Sequence, residues 1–288
     1  MYSQFDSISW VTPYGLTLLS AIFVSWWLAR RNANSIAVDA SHIDLLLPVV
    51  VIVGVAGATL LSRLMPMDSM IAGELMQTDG RVRLFGVIGC GAVAVFFYSR
   101  IVGLSFRRLL DVFALPTIAG LMILRIGCFL AGCCWGDLVS NEHATQLHTQ
   151  FATQVQTLPF LGGLTSGVQY PPGSLAYEQH LAMGLIDPGA LASLPVYRVQ
   201  LLEGALLLGL LLTLRRVTWQ RLPQGMLTVQ VISAYAVIRF FLEYLRADAP
   251  IVIGNLTITQ LQCLLLLFSA TLLPGLLAQA KLSNRIRA

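Results

Sequence analysis

The chain has 288 residues, of which 56% are hydrophobic and only 11% charged. That balance excludes a soluble globule with a solvated surface and indicates a polytopic membrane protein. The net charge of +4 is small, and the distribution described below explains it as membrane topology, with no nucleic-acid partner implied.

A helix needs about 20 apolar residues to cross a hydrocarbon core of roughly 30 Å. In chain order, seven segments meet or approach that length: 11–29, 45–61, 84–98 (the shortest), 109–136, 196–214, 226–245 and 256–278. The predicted fold class is therefore an all-α polytopic membrane protein of about seven transmembrane helices. It is a single domain over 1–288, with a small extracytoplasmic cap, 137–195, inserted between the fourth and fifth spans. Arg30 and Arg31 follow the first span, Arg100, Arg107 and Arg108 the third, Arg215, Arg216 and Arg221 the fifth, and Lys281, Arg285 and Arg287 the last. All four groups fall on one side, which the positive-inside rule assigns to the cytoplasm. The N-terminus "MYSQFDSISW", the loop carrying Arg63, Arg81 and Arg83, and the cap fall on the other side. This puts the N-terminus outside and the C-terminus in the cytoplasm. The cap carries the turn signals "LGGLTSG", "YPPGS" and "DPGA", and a loop of this length is usually functional. Its histidines His143, His148 and His180 are expected at the surface.

Inside "LRIGCFLAGCCWG" (124–136), "LAGC" spells a lipobox, the tetrapeptide whose cysteine receives a lipid. A lipobox closes an N-terminal signal peptide behind a basic n-region, whereas Cys133 lies mid-chain at a helix end. The match is coincidental. Cys128, Cys133 and Cys134 lack a second paired cluster, and five residues of helix would turn Cys128 and Cys133 away from one another. They are expected to be small packing residues without a metal, as are Cys90 and Cys263 in their spans.

Charges at membrane depth require a partner, water or a function. Arg125 lies in the fourth span, Glu203 in the fifth, and Arg239 and Glu243 in the sixth. Tyr235, Arg239 and Glu243 are spaced i, i+4, i+8 on one helical face, with Arg246 near its outer end. Two readings stand. The carboxylates neutralise the arginines and fix the bundle, or the cluster is an anion site opening toward the outer leaflet. A guanidinium binds phosphate through a planar fork of donors, as a phospholipid head group demands.

Four strings, "LRIGCFLAGCCWG", "YPPGSLAYEQHLAMGLIDPGA", "LPVYRVQLLEG" and "GMLTVQVISAYAVIRFFLEYLRAD", occur in the order found in the prolipoprotein diacylglyceryl transferase family, and "GRVRLFGVIG" resembles its third-helix segment. The resemblance implies a seven-helix enzyme of the bacterial inner membrane. Such an enzyme moves the diacylglyceryl group of phosphatidylglycerol onto the lipobox cysteine of a preprolipoprotein signal peptide and releases glycerol phosphate, with no cofactor. By position, Arg125 matches the signature arginine, and Gly127, Phe129, Gly132 and Gly136 its helix and turn framework. Tyr235, Arg239 and Glu243 match the polar face of the sixth helix, Gln200 and Glu203 the opening of the fifth, and Tyr177 lies in the similar cap segment. The resemblance thus implies catalytic roles for Arg125, Arg239 and Tyr235. It implies lipid binding by Arg125, Gly136, Gln200, Glu203, Arg239, Glu243 and Arg246, and no metal. The sequence departs from the family where Leu84, Phe85 and Gly86 stand for His-Gly-Gly, and where Cys128 and Cys133 replace an asparagine and an acidic residue. Three readings of those departures stand: catalysis through an arginine field or another base, including a cap histidine; an inactive homologue that still binds lipid; and transfer to a different acceptor. A transporter or lipid-binding scaffold that uses the Arg/Glu cluster as a gate is the alternative from another class.

Overall fold

A 26-residue helix, α4 (Phe106–Ala131), forms the axis of the protein. In the computed structural model the described residues are 12–35, 38–64, 79–139, 153–155, 157, 167–216, 222–246, 251–253 and 256–271. The N-terminal decapeptide, Arg221, His143, His148, Lys281, Arg285 and Arg287 lie outside them, as do the side chains of Arg63, Arg81, Arg83, Leu84 and Phe85. At 1.5 Å per residue α4 is about 39 Å long, enough to cross a bilayer. Half of its apolar window is buried inside the protein, against 17% for α2 (Ala40–Leu64). Around α4 pack α1 (Pro13–Ser35), α6 (Val199–Arg215) and α7 (Met226–Leu242), while α3 (Asp79–Val102) pairs mainly with α2. The last described helix, α8, runs from Ile258 to Thr271. Leu45, Ile52 and Val55 on α2 and Leu265 and Phe268 on α8 are exposed, as apolar surface facing lipid should be.

Helix–helix contact without a hydrophobic driving force favours small residues that let backbones approach. Thr17, Ala21, Ser25, Ala29 and Ala33 recur every fourth residue along α1. Opposite them stand Gly120 and Gly127 of α4: a Cβ at Gly120 would lie 2.5 Å from Ser25 Oγ, and one at Gly127 would overlap Thr17. Pro116 within α4 has no N–H, which leaves the Val112 carbonyl without its helical donor. Asn32 of α1 supplies the replacement, donating Nδ2–H to Val112 O at 3.1 Å. A buried carboxylate makes a second such repair. Asp111 of α4 accepts from Gly225 N–H (2.6 Å), Thr228 N–H (2.9 Å) and Thr228 Oγ1–H (2.8 Å), and so caps the N-terminus of α7 from a neighbouring helix.

Helix α4 stops in a Schellman turn. Gly132 takes the left-handed conformation (φ 64°), its N–H reaches Phe129 O, and Cys133 N–H reaches Cys128 O. The following turn is tied on both sides: Gly136 N–H donates to Tyr197 O, Tyr197 N–H to Asp137 O, and Asp137 N–H to Leu245 O. Beyond it, β1 (Gly167–Val168) pairs antiparallel with β2 (Val196–Tyr197), Gly167 opposite Tyr197. The short helix α5 (Leu175–Ala182) contributes Ala176 to a cluster in which Tyr170, just before it, also packs against Phe129 and Trp135. A second antiparallel pair, β3 (Ile251–Ile253) and β4 (Leu256–Thr257), leads into α8.

The fold is that of a helical membrane protein. Among the described residues, three helical stretches, Ala40–Gly57, Phe106–Ala131 and Met226–Leu245, are long and apolar enough to span a bilayer. Helix boundaries differ from the sequence expectation where backbone chemistry intervenes. The fourth segment ends at Ala131 because Gly132 supplies the positive φ, and the sixth passes into a 3₁₀ turn at Glu243–Leu245. His180 corrects the expectation of a surface residue, being 3% exposed. Its Nδ1 accepts from Leu194 N–H at 3.2 Å and its ring meets Trp135 edge-on.

Candidate functional site

Arg125 projects from the last two turns of α4, and Glu203 from the first turns of α6. They meet as an ion pair, Nη2 to Oε1 2.8 Å, with the glutamate 1% and the arginine 11% exposed. The contact is short but off the donor axis, for neither Glu203 oxygen receives an aligned hydrogen bond. One helix over, Arg239 and Glu243 pair across a single turn, Nη2 to Oε2 2.9 Å, also buried. Arg239 Nη1 is buried with no hydrogen-bond partner. A charged donor left without an acceptor in the interior costs more than a neutral one, so this N–H marks a place for an anionic oxygen.

Tyr235, one turn before Arg239, is buried between the two pairs, within electrostatic reach of Arg125, Glu203 and Arg239. Its hydroxyl lies against the Arg125 guanidinium without an aligned hydrogen bond. Gln200, one turn before Glu203, donates Nε2–H to Cys133 O (2.7 Å) and to Tyr170 Oη (3.3 Å), leaving Oε1 buried and unbonded. Arg246 is buried past the 3₁₀ turn, its N–H bonded to Glu243 O, and lies within electrostatic reach of Cys134. Gly136 touches no charge. Its part is close approach, since a Cβ there would lie 2.6 Å from Tyr197 Cβ and 2.7 Å from Leu245 O. Tyr177 donates its hydroxyl to Ala190 O at 3.0 Å and ties α5 to the loop that follows it.

The structure thus joins Arg125 to Glu203 and Arg239 to Glu243, sets Tyr235 between them, and ties Gln200 of α6 to the turn that carries Cys133. Sequence reading missed two members. Thr257 donates Oγ1–H to Glu243 Oε1 at 3.1 Å, and Gln260 holds Thr257 in a reciprocal capping box at the start of α8. The string "TITQ" carried that signal as Thr-x-x-Gln. Chemically the cluster offers two guanidinium forks, each anchored by one carboxylate, with Arg239 Nη1 as a donor to spare. That suits an anion bearing several oxygens, and a phosphodiester has them.

Comparison with known proteins identifies the family. The sequence profile of the prolipoprotein diacylglyceryl transferase family matches residues 5–274. The chain is 24% identical to the phosphatidylglycerol-prolipoprotein diacylglyceryl transferase of Symbiobacterium thermophilum over 259 residues, 88% of this chain and 83% of that protein. It is 25% identical to that of Listeria monocytogenes serotype 4b over 270 residues, 92% and 84%. The match to the Clostridium tetani enzyme, 29% over 126 residues, covers 43% of this chain and 50% of that relative. With paired arginines on adjoining helices and a profile match that runs across nearly the whole sequence, the chain belongs to the prolipoprotein diacylglyceryl transferase family.

Proposed function

We propose that the protein transfers the diacylglyceryl group of phosphatidylglycerol to the lipobox cysteine thiol of preprolipoproteins, the first step of bacterial lipoprotein maturation. The observation that carries the reading is the buried, unbonded Nη1 of Arg239 beside the Arg125–Glu203 pair. Arg125 and Arg239 grip the phosphate of the lipid. The acceptor sulfur attacks the glyceryl carbon, a C–S bond forms, the C–O bond to phosphate breaks, and glycerol phosphate leaves with the electron pair. A free thiol has a pKa near 8.5 and must lose its proton, which is released to solvent. The two arginines supply a positive field for the thiolate and stabilise charge growing on the leaving phosphate. Tyr235 orients the head group between them. Gln200, Glu203, Glu243 and Arg246 complete the lipid site, and Gly136 lets its turn close.

In this reading seven helices cross the cytoplasmic membrane, with the N-terminus outside, the C-terminus inside, and 137–195 forming a cap over the outer ends of α4 and α6. Reporter fusions after Arg31, Arg108, Arg221 and Ala288 should report cytoplasm, and one near Gly163 the outside; a cytoplasmic signal at Gly163 overturns the topology. The decisive assay is turnover of labelled phosphatidylglycerol with a lipobox peptide. Transfer supports the reading. Lipid binding without transfer would instead identify a homologue that retains the head-group site, an outcome that Leu84 in place of the family's histidine makes specific.

A further inference from the structure

The Schellman turn that ends α4 does something helical spacing alone would not. Because the helix stops at Ala131 and Gly132 reverses the chain, Cys133 and Cys134 fold back over the last turn. Their sulfurs and that of Cys128 lie within 4.8 Å of one another. Cys134 adopts a positive φ of 57°, the one non-glycine residue to do so among those described. Cys128 is buried, and Cys133 and Cys134 are half-buried, so the cluster is sheltered yet reachable. Cationic groups lie within electrostatic reach of it from two elements, Arg125 on α4 and Arg246 beyond α7, as does Tyr14 of α1.

We propose that Cys128, Cys133 and Cys134 form a three-thiolate site for a soft d10 cation, Cu(I) or Zn(II). Thiolates bound at about 2.3 Å stand roughly 3.8–4.0 Å apart around their metal. Sulfurs already within 4.8 Å therefore close on an ion with shifts of about half an ångström each. Soft sulfur donors select Cu(I) and Zn(II) over hard cations. Three sulfurs, with no fourth Cys, His, Asp or Glu in the group among the described residues, suit trigonal Cu(I), whereas Zn(II) takes a water as its fourth ligand. Binding releases the three thiol protons to solvent, and Arg125 and Arg246 offset the charge of the sulfur-rich complex. The metal would lock the end of α4 to the turn that carries the Gln200 contact.

The test uses the full chain in detergent, reduced and stripped of metal, titrated separately with Cd(II), Zn(II) and Cu(I). One equivalent of Cd(II) should raise a thiolate-to-metal charge-transfer band, and each ion should raise the melting temperature. X-ray absorption of the Cu(I) form should show an all-sulfur shell, and that of the Zn(II) form sulfur plus one oxygen. Cys128→Ser/Cys133→Ser/Cys134→Ser should abolish the band, and Cys90→Ala/Cys263→Ala should keep it. If the triple variant does not fold, Cys133→Ser and Cys134→Ser singly should each weaken Cd(II) binding by roughly tenfold or more. The site is overturned by a band that survives the triple variant, by one lost in the Cys90/Cys263 control, or by no band at all in fully reduced protein. An intact mass two hydrogens lower that persists through reduction, with no metal uptake, overturns it as well. Diacylglyceryl transfer is a separate readout, so failure here leaves the proposed function untouched.

Discussion

Arg239 Nη2 sits 2.9 Å from Glu243 Oε2 one turn along α7, while its other terminal nitrogen, Nη1, is buried without a hydrogen bond. One arm of the fork is thus spent on position and the other is free for a ligand. Arg239→Lys keeps the cation and loses the second aligned donor. If Arg239 serves only to pair with Glu243, that variant should retain most of its activity. If it clamps phosphate, the variant should insert and bind phosphatidylglycerol weakly but transfer about 100-fold more slowly or worse. Arg125→Lys should behave alike. Near-wild-type turnover in both variants would remove the clamp.

The Arg125–Glu203 pair is buried at the glutamate and largely sheltered at the arginine. Removing one partner strands a charge, which typically costs about 3–5 kcal/mol, whereas replacing both with apolar residues of similar size is often close to neutral. Glu203→Leu should therefore unfold at a markedly lower temperature than Arg125→Met/Glu203→Leu, and neither should transfer. Equal melting temperatures would show that the two side chains are not coupled.

Asp111 should matter for stability at a distance from the chemistry. Its three hydrogen bonds to Gly225 and Thr228 cap α7, and loss of a cap costs about 0.5–2 kcal/mol. Asp111→Ala should lower the melting temperature of the purified protein, with Asp111→Asn in between because its single oxygen still accepts. An unchanged melting curve for Asp111→Ala would deny the cap.

His180 gives the segment around α5 a pH dependence of known sign. Burial holds its pKa below the ordinary 6.5, and Nδ1 must stay unprotonated to accept from Leu194 N–H. The unfolded chain therefore binds the proton more readily than the folded one. The stability His180 contributes is complete above about pH 6.5 and is lost as pH falls through that value toward the folded pKa. The difference in melting temperature between wild type and His180→Gln should shrink from pH 7.5 to pH 5.5. Growth of that difference would reverse the assignment.

Gly136 is a steric prediction. A methyl there meets Tyr197, Val199 and the Leu245 carbonyl together, and overpacking costs about 1–3 kcal/mol. Gly136→Ala should destabilise the protein and displace the turn that carries Cys133 and Cys134, read as slower transfer at wild-type expression. A variant with unchanged stability and rate would mean that the turn gives way freely.

Much of this was legible in the linear sequence because membranes impose one-dimensional rules. Apolar length marks the long helices, and the cost of charge at depth singles out Arg125, Glu203, Arg239 and Glu243. The i, i+4 spacing also put Arg239 and Glu243 on one face, since neighbours on a helix are set by its period alone. Pairing across helices is of another kind. That Arg125 meets Glu203, that Thr257 reaches Glu243, that Asp111 caps α7, and that Asn32 repairs the carbonyl freed by Pro116 all depend on how separate helices dock. The cysteines mark the boundary most clearly. Helical periodicity carried past Ala131 turns Cys128 from Cys133, yet a single left-handed residue at Gly132 reverses the chain and brings three sulfurs together. Local period predicts neighbours only while the helix lasts, and where it stops is decided by the backbone conformation of the residue that ends it.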